Sequence, residues 1–165
     1  MSTRFGFGYD IHRFAPHRKL ILGGVHLPYD RGLDGHSDAD VLLHAICDAL
    51  LGAAALGDIG THFPNTDPRF HNISSLKLLS LVKQLLDQNH LQIIHIDATV
   101  VLEAPKLAPY ISKMRQNIAE SLDSLISQIS VKATTNEGLG AIGQGDGCAA
   151  FAVASLHLSS AQPSQ

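Results

Sequence analysis

Leu91-Gln92-Ile93-Ile94-His95-Ile96-Asp97-Ala98-Thr99-Val100-Val101-Leu102-Glu103 alternates between apolar and polar side chains over most of its length. Side chains two apart on a strand share a face, so Ile94, Ile96, Ala98, Val100 and Leu102 point one way and His95, Asp97, Thr99 and Glu103 the other. The alternation predicts a half-buried strand, and it stands between two stretches of helical period. Residues 74–88 carry Leu78, Leu79, Val82, Leu85 and Leu86 on one side behind Ser74 as a cap, and residues 108–126 repeat the pattern through Ile111, Met114, Ile118, Leu122 and Leu125. Residues 37–56 are the most strongly helical, with Ser37 in the cap position, Asp40 three later in a weak capping box, and Gly57 as the stop. Ahead of them, residues 4–14 and 19–27 are extended, glycine-punctuated apolar runs joined by Pro16 and a basic turn, which predicts a β-hairpin. Residues 129–135 and 147–158 read as strands around a glycine-rich loop.

The order β-β-α-α-β-α-β-β predicts a single α+β domain, a mixed β-sheet of four or more strands with helices packed on one face. Residues 1–158 make up that domain, and the polar residues 159–165 a short flexible tail. A chain of 165 residues can bury a sizeable core. Its formal charge of −3 argues against a general electrostatic grip on nucleic acid, which draws on clustered Lys and Arg, so phosphate recognition should be local. Cys47 and Cys148 stand too far apart in an otherwise ordinary composition to suggest a disulfide framework, and two buried thiols are expected. No stretch approaches the roughly 20 apolar residues that span a bilayer. A soluble cytoplasmic protein with no membrane partner is expected.

Asp10 and His12 lie two apart in an apolar run and so share a strand face, which gives half of a tetrahedral metal site. His36 and His44 flank the start of the first helix, where either can reach such a site, and Asp40, one turn before His44, can support it from behind. Ten histidines also make chance proximity cheap, and spacing alone leaves both readings open. Ser37 can cap the helix or serve an anion at its N-terminus. The stretch Gly57-Asp58-Ile59-Gly60-Thr61-His62-Phe63-Pro64-Asn65-Thr66-Asp67-Pro68 can close over a ligand, or its carbonyl groups can simply form Asx-turns. Near the end, Lys132-Ala133-Thr134-Thr135-Asn136-Glu137 gathers hydroxyls, an amide and a carboxylate ahead of a glycine-rich loop that lacks the dinucleotide fingerprint. Such donors beside a cation-holding carboxylate suit a diphosphate with a bound divalent ion.

These pieces resemble the 2-C-methyl-D-erythritol 2,4-cyclodiphosphate synthase family. The matching stretches are Gly8-Tyr9-Asp10-Ile11-His12, Leu22-Gly23-Gly24-Val25, His36-Ser37-Asp38-Ala39-Asp40-Val41-Leu42-Leu43-His44, Leu51 through Gly60, Phe63 through Pro68, Glu103-Ala104-Pro105-Lys106 and Val131 through Gly140. They follow the family's order across nearly the whole chain. The resemblance implies a metal-dependent cyclase, a phosphorus-oxygen lyase that converts 4-diphosphocytidyl-2-C-methyl-D-erythritol 2-phosphate to the 2,4-cyclodiphosphate plus CMP in the non-mevalonate route to isoprenoid precursors. It implies zinc on Asp10, His12 and His44, and a second divalent cation, magnesium or manganese, on Glu137. His36 and Thr135 become the catalytic pair that orients and polarises the phosphates, with Ser37 beside them on the substrate. Asp10 and His12 would face the substrate as well. Asp58, Ile59 and Gly60, with Phe63, Pro64, Asn65, Thr66 and Asp67, would handle the sugar hydroxyls. Leu102, Glu103, Ala104, Pro105, Lys106, Leu107 and Ala108, with Ala133, Thr134, Thr135, Asn136 and Glu137, would form the cytosine and phosphate pocket of a neighbouring subunit. A homotrimer with sites between subunits follows from the same resemblance.

Three departures stand out. Asn136 and Asn65 replace a frequent Thr and Asp, and both keep a hydrogen-bonding oxygen. In Ala141-Ile142-Gly143-Gln144-Gly145-Asp146-Gly147, Gln144 and Asp146 stand where relatives often carry Arg and Glu at the mouth of an axial cavity, which puts an anion site there in doubt. Two other classes fit the same ligands: a zinc-dependent phosphoesterase, which would activate a water, and a non-catalytic trimeric zinc-binding scaffold, which would fill the fourth zinc position with protein.

Overall fold

A computed structural model describes residues 2–64 and 66–159. In chain order its strands are β1 (Thr3–Pro16), β2 (Leu20–Leu22), β3 (Val25–Leu27), β4 (Arg31–Leu33), β5 (Leu91–Val101), β6 (Ile129–Thr134) and β7 (Gly147–Leu158). The helices are α1 (Val41–Ala54), α2 (Ile59–His62), α3 (Ser75–Gln88), α4 (Ile111–Ser121) and α5 (Gly140–Gly143). Five strands form one mixed sheet in the order β4-β1-β7-β5-β6, with β5 and β6 parallel and the other pairs antiparallel. This is the expected α+β architecture, with α1 across β1 and β7 and α3 packed on α1.

Helix α1 is apolar almost all round, and eleven of its fourteen residues are buried between sheet and outer helices. Leu42, Leu43, Ile46, Leu50 and Leu51 are fully buried, each contributing about 1.5–3 kcal/mol of transfer free energy. The helix lies unusually close to β1 because of two glycines. A Cβ at Gly6 would sit 2.0 Å from Ala49 O, and one at Gly8 1.9 Å from Ala45 O. Period two then sends Asp10 and His12 to the same, helix-facing side as Gly6 and Gly8. The opposite side of the sheet leaves Phe5, Phe7, Tyr9, Ile11, Phe151 and Val153 exposed, with the Tyr9 and Phe151 ring centroids 4.9 Å apart.

Several local expectations are corrected. The two N-terminal runs do not pair with each other: β1 is taken along Thr3–Arg13 by β7, while β2 folds back on β3 through Gly23 and Gly24, at φ +57° and +69°. Glycine pairs at positive φ make the two-residue turn that matches strand twist. On β5, the register shifts between Ile93 and His95, so Ile93 is buried and Ile94 exposed, the reverse of strict alternation. Leu125 falls beyond α4 and is 70% exposed. Helix α1 is capped by Asp40, not Ser37, and closes on Ala55 in the left-handed conformation before Gly57 is reached. Cys47 and Cys148 are buried and free. Ser159 N donates to His90 O, and the rest of the expected tail, residues 160–165, lies outside the described residues. Among the described residues, no helix is long and apolar enough to cross a membrane.

Candidate active site

The close approach of α1 to β1 sets His44, one turn into the helix, against Asp10 and His12. One ligand atom from each lies within 4.8 Å of the others, and all three residues are half-buried. Asp10 Oδ2 is 3.0 Å from His12 Nε2 and 3.0 Å from His44 Nδ1. The His12 nitrogen is buried and, though 3.0 Å from Asp10 Oδ2, is not aligned for a hydrogen bond to it or to any other described residue, which leaves it an orphan donor. Two imidazole nitrogens and one carboxylate oxygen are a donor set that zinc accepts while keeping a position open, and a cation there would satisfy the orphan once its proton has left. The residues therefore fit a metal ion, which settles the sequence ambiguity in favour of a cluster.

Electrostatics point the same way. Burial pushes the Asp10 carboxyl up, but contact with His12 and then His44, together with their charge, outweighs it and holds the group well below the usual carboxylate range. Burial alone would lower His12, but contact with Asp10 and its charge, then a hydrogen bond to the Asp34 backbone and the Asp34 charge, raise it above the usual imidazole value. The anionic carboxylate favours a cation here, and His12, whose protonated form it also favours, must release that proton to become a ligand.

His44 Nε2, on the far side of the ring, lies 3.0 Å from Ser75 Oγ and 3.2 Å from Ser37 Oγ. Asp40 does not support it. That carboxylate is fully buried and accepts from the backbone N–H of Gly23, Leu43 and Gly24 at 3.0, 3.1 and 2.7 Å, tying the β2–β3 turn to the start of α1. Burial pushes Asp40 up to about 7 against the pull of the Gly24 N–H, with the charge of Asp38 adding and the Leu43 and Gly23 N–H groups opposing. Ser37 instead accepts from Ala39 N at 3.0 Å in a local turn, so its predicted cap is also corrected. Arg18, which carried no sequence signal, donates to Gly35 O and Ser37 O at 3.1 and 2.9 Å and holds this loop in place.

The triad opens onto a cleft of about 220 Å³. Its walls include His36, Ser37, Ile59, Gly60 and Phe63, so five more of the expected residues gather here. His36 is exposed at the rim, and its carbonyl accepts from Asn72 N at 3.0 Å. Asp58 and Asp67 are engaged locally: Asp58 Oδ1 accepts from Thr61 N and Oγ1, both at 2.8 Å, and caps α2, while Asp67 caps the single helical turn Pro68–Phe70 and pairs with Arg69. Pro64 is half-buried and Thr66 exposed beside them, and Asn65 lies outside the described residues. Asp48, also unforeseen, accepts from Ile59 N at 2.8 Å and moors this loop to α1.

The second group assembles at the other end of the sheet. Leu102, Glu103, Pro105, Lys106, Leu107, Ala108, Ala133, Thr134 and Thr135 line a separate cleft of about 290 Å³, with Ala104 in the same turn. Leu102 N donates to Thr134 O, and Asn136 N to Glu103 Oε1 at 2.7 Å, which ties the two predicted segments together. Thr135 Oγ1 donates to Glu137 Oε1 at 3.1 Å, and Glu137 sits at φ +52° with its side chain exposed. Glu137 does not join the triad. Register shows why: Asp10 pairs with Ala150, Ala150 with Val100 and Val100 with Ala133. Three inter-strand spacings separate the two groups, about 14 Å along the sheet.

Comparison with known proteins agrees with this geometry. The YgbB family model matches residues 3–157. The 2-C-methyl-D-erythritol 2,4-cyclodiphosphate synthase of Pelodictyon phaeoclathratiforme is 61% identical over 150 residues, 91% of this chain and 96% of that protein. The enzyme of the same name from Clostridium perfringens is 56% identical over 153 residues, 93% of this chain and 98% of that protein. Among solved structures, the bifunctional IspDF of Campylobacter jejuni superposes with a TM-score of 0.92 at 41% identity, covering 96% of this chain, which spans 43% of that longer one. IspF of Plasmodium falciparum, solved as a CDP complex, gives a TM-score of 0.85 at 33% identity, covering 96% of this chain and 98% of that one. In sequence and in fold, this chain belongs to the YgbB family, the 2-C-methyl-D-erythritol 2,4-cyclodiphosphate synthases.

Proposed function

We propose that this protein is the cyclase its relatives are named for, acting on 4-diphosphocytidyl-2-C-methyl-D-erythritol 2-phosphate. An oxygen of the 2-phosphate attacks the β-phosphorus, a new P–O bond closes the ring, and the bond to the α-phosphate breaks to release CMP. The attacking oxygen is already anionic near neutral pH, so the residues need to align and neutralise charge rather than remove a proton. When bound, zinc on Asp10, His12 and His44 and magnesium or manganese beside Glu137 would supply the positive charge that lets two anionic groups approach and the leaving CMP depart. His36 and Ser37, at the mouth of the triad cleft, orient the phosphate bearing the nucleophile. Ile59, Gly60 and Phe63 close over the methylerythritol, with Asp58, Pro64, Asn65, Thr66 and Asp67 supplying polar contacts from the same loop. The Leu102–Ala108 and Ala133–Glu137 cleft takes the cytidine end, with Thr135 donating to the diphosphate.

The two clefts lie too far apart along one chain to hold adjacent phosphates, so the working site is composite. Three copies close into a ring, each triad cleft facing a neighbour's cytidine cleft. The exposed Phe5, Phe7, Tyr9, Ile11 and Phe151 supply an apolar face for that assembly. Residues 1–158 act as one cyclodiphosphate synthase domain in this reading. Cytoplasmic residence is part of it as well, supported by the two free thiols.

The observation that carries the reading is the Asp10–His12–His44 cluster opening onto a cleft in a chain of this family. Incubation with substrate, zinc and magnesium, with products identified by mass, tests it. CMP with a cyclic diphosphate is expected. Inorganic phosphate with a linear product would identify a phosphoesterase instead, and no turnover with both metals present would leave the scaffold.

A further inference from the structure

Behind the triad, away from the cleft, Ser75 links His44 to a second carboxylate. Ser75 is fully buried at the first residue of α3, and its backbone N–H donates to Asp38 Oδ2 at 2.9 Å. Its hydroxyl donates to Asp38 Oδ1 in a very short contact. Asp38 Oδ1 also lies 3.3 Å from Asp40 N, which donates to it. A carboxylate is acceptor-only, and a serine hydroxyl has one proton to give. With that proton spent on Asp38, Ser75 Oγ can meet His44 Nε2, 3.0 Å away, only as an acceptor. Ser37 Oγ lies at 3.2 Å and, with its own proton uncommitted, can fill either role. To bond Ser75, Nε2 then carries the hydrogen. The neutral ring then turns a lone pair on Nδ1 toward Asp10 Oδ2, 3.0 Å away, an acceptor pair that a shared cation would satisfy.

We propose that Asp38 and Ser75 form a positioning relay that fixes the tautomer and orientation of His44, so that its Nδ1 is permanently presented to the metal. The inference rests on the metal reading of the triad and adds two residues that the substrate and metal assignments above leave unused. It also explains why the start of α3 is built as it is. Ser74, at the cap position, makes no side-chain cap bond, and Asp38, 37 residues earlier, accepts from Ser75 N in its place. One carboxylate thus seats α3 on the loop before α1 and sets the ring of His44.

The test reads zinc affinity in the absence of substrate, by competition with a chelator. Losing a partner of this kind typically weakens metal binding about 10–100-fold, the fall expected for Ser75→Ala. Zinc-free protein with ¹⁵N-labelled histidine supplies a readout that a merely structural role would not move: His44, when neutral, should show a slowly exchanging proton on Nε2 and none on Nδ1. That proton should exchange faster in Asp38→Asn. Unchanged zinc affinity in folded Ser75→Ala, or a wild-type spectrum with the His44 proton on Nδ1, overturns the relay. If Ser75→Ala does not fold, the wild-type spectrum still decides. Wild-type protein that gives this spectrum and binds zinc but releases no CMP overturns the cyclase reading and leaves the relay standing.

Discussion

The two ends of the sheet are built to opposite standards. At the β1 end, Asp10, His12 and His44 are half-buried, held by a glycine-permitted helix contact, and backed by Ser37, Ser75 and Asp38. At the β6 end, Thr134, Thr135, Asn136 and Glu137 are all exposed, and their bonds are mostly to each other and to Glu103. One chain suffices to organise the first group, because a metal site demands fixed donors. The second group lines an open cleft between two segments. In the proposed assembly it is one side of a pocket that a neighbouring subunit completes.

Breaking the organised end should have the largest effect. In His44→Ala, zinc content per chain should fall to zero and CMP release should drop on the order of 10³-fold or more, since a bound cation supplies several kcal/mol. Metal analysis and a CMP assay check this, and full activity would remove the triad from the mechanism. Glu137→Gln should cost about 10²–10³-fold in kcat, the usual loss for one electrostatic contact, while zinc content stays unchanged. Equal loss of zinc in this variant would erase the distinction between the two ends.

Gly8→Ala tests the origin of the organised end. A methyl group 1.9 Å from Ala45 O must push α1 off the sheet. Overpacking of this kind costs about 1–3 kcal/mol or more, read by denaturant unfolding, and it should weaken zinc binding because His44 moves with the helix. The smallest effect belongs to the exposed end. Burial pushes Asp97 up, but hydrogen bonds from Lys132 and Ser130, with the Lys132 charge, outweigh it, and the carboxyl sits below its ordinary value of 3.8. The stability it contributes is present above pH 3.8 and is lost as pH falls through the lower, folded-state value. Lys132→Met should flatten the pH dependence of unfolding below pH 4, and an unchanged slope would show that the pair does nothing in solution.

Much of this was readable in the chain. Asp10 and His12 two apart on a strand, the helical period carrying His44, and the Ser74 start of α3 depend on local geometry alone, and the structure places them as expected. What sequence could not show is non-local. The partner of β1 is β7, at the far end of the chain, so the N-terminal runs looked like partners for each other. An extra residue at Ile94 is invisible to a period of two. Asp40 looked like support for His44 because it lies one turn away, but three buried N–H groups claim it. The Asp38–Ser75 contact joins residues 37 apart, and neither carries a signal by itself. The glycines at 6 and 8 are the one missed signal that was present, since small residues at alternate strand positions mark a face where another backbone approaches.

The central claim is that the working site takes its metal half from one chain and its Thr135–Glu137 half from another. Co-expression of differently tagged His44→Ala and Glu137→Gln chains, purified through both tags, tests it most directly. Each variant alone should be nearly inactive. In a head-to-tail ring of three, every mixed trimer has one interface with both halves intact, so it should recover about a third of wild-type activity. Mixed trimers no more active than the separate variants would contradict the composite site and place the whole of the chemistry within a single chain.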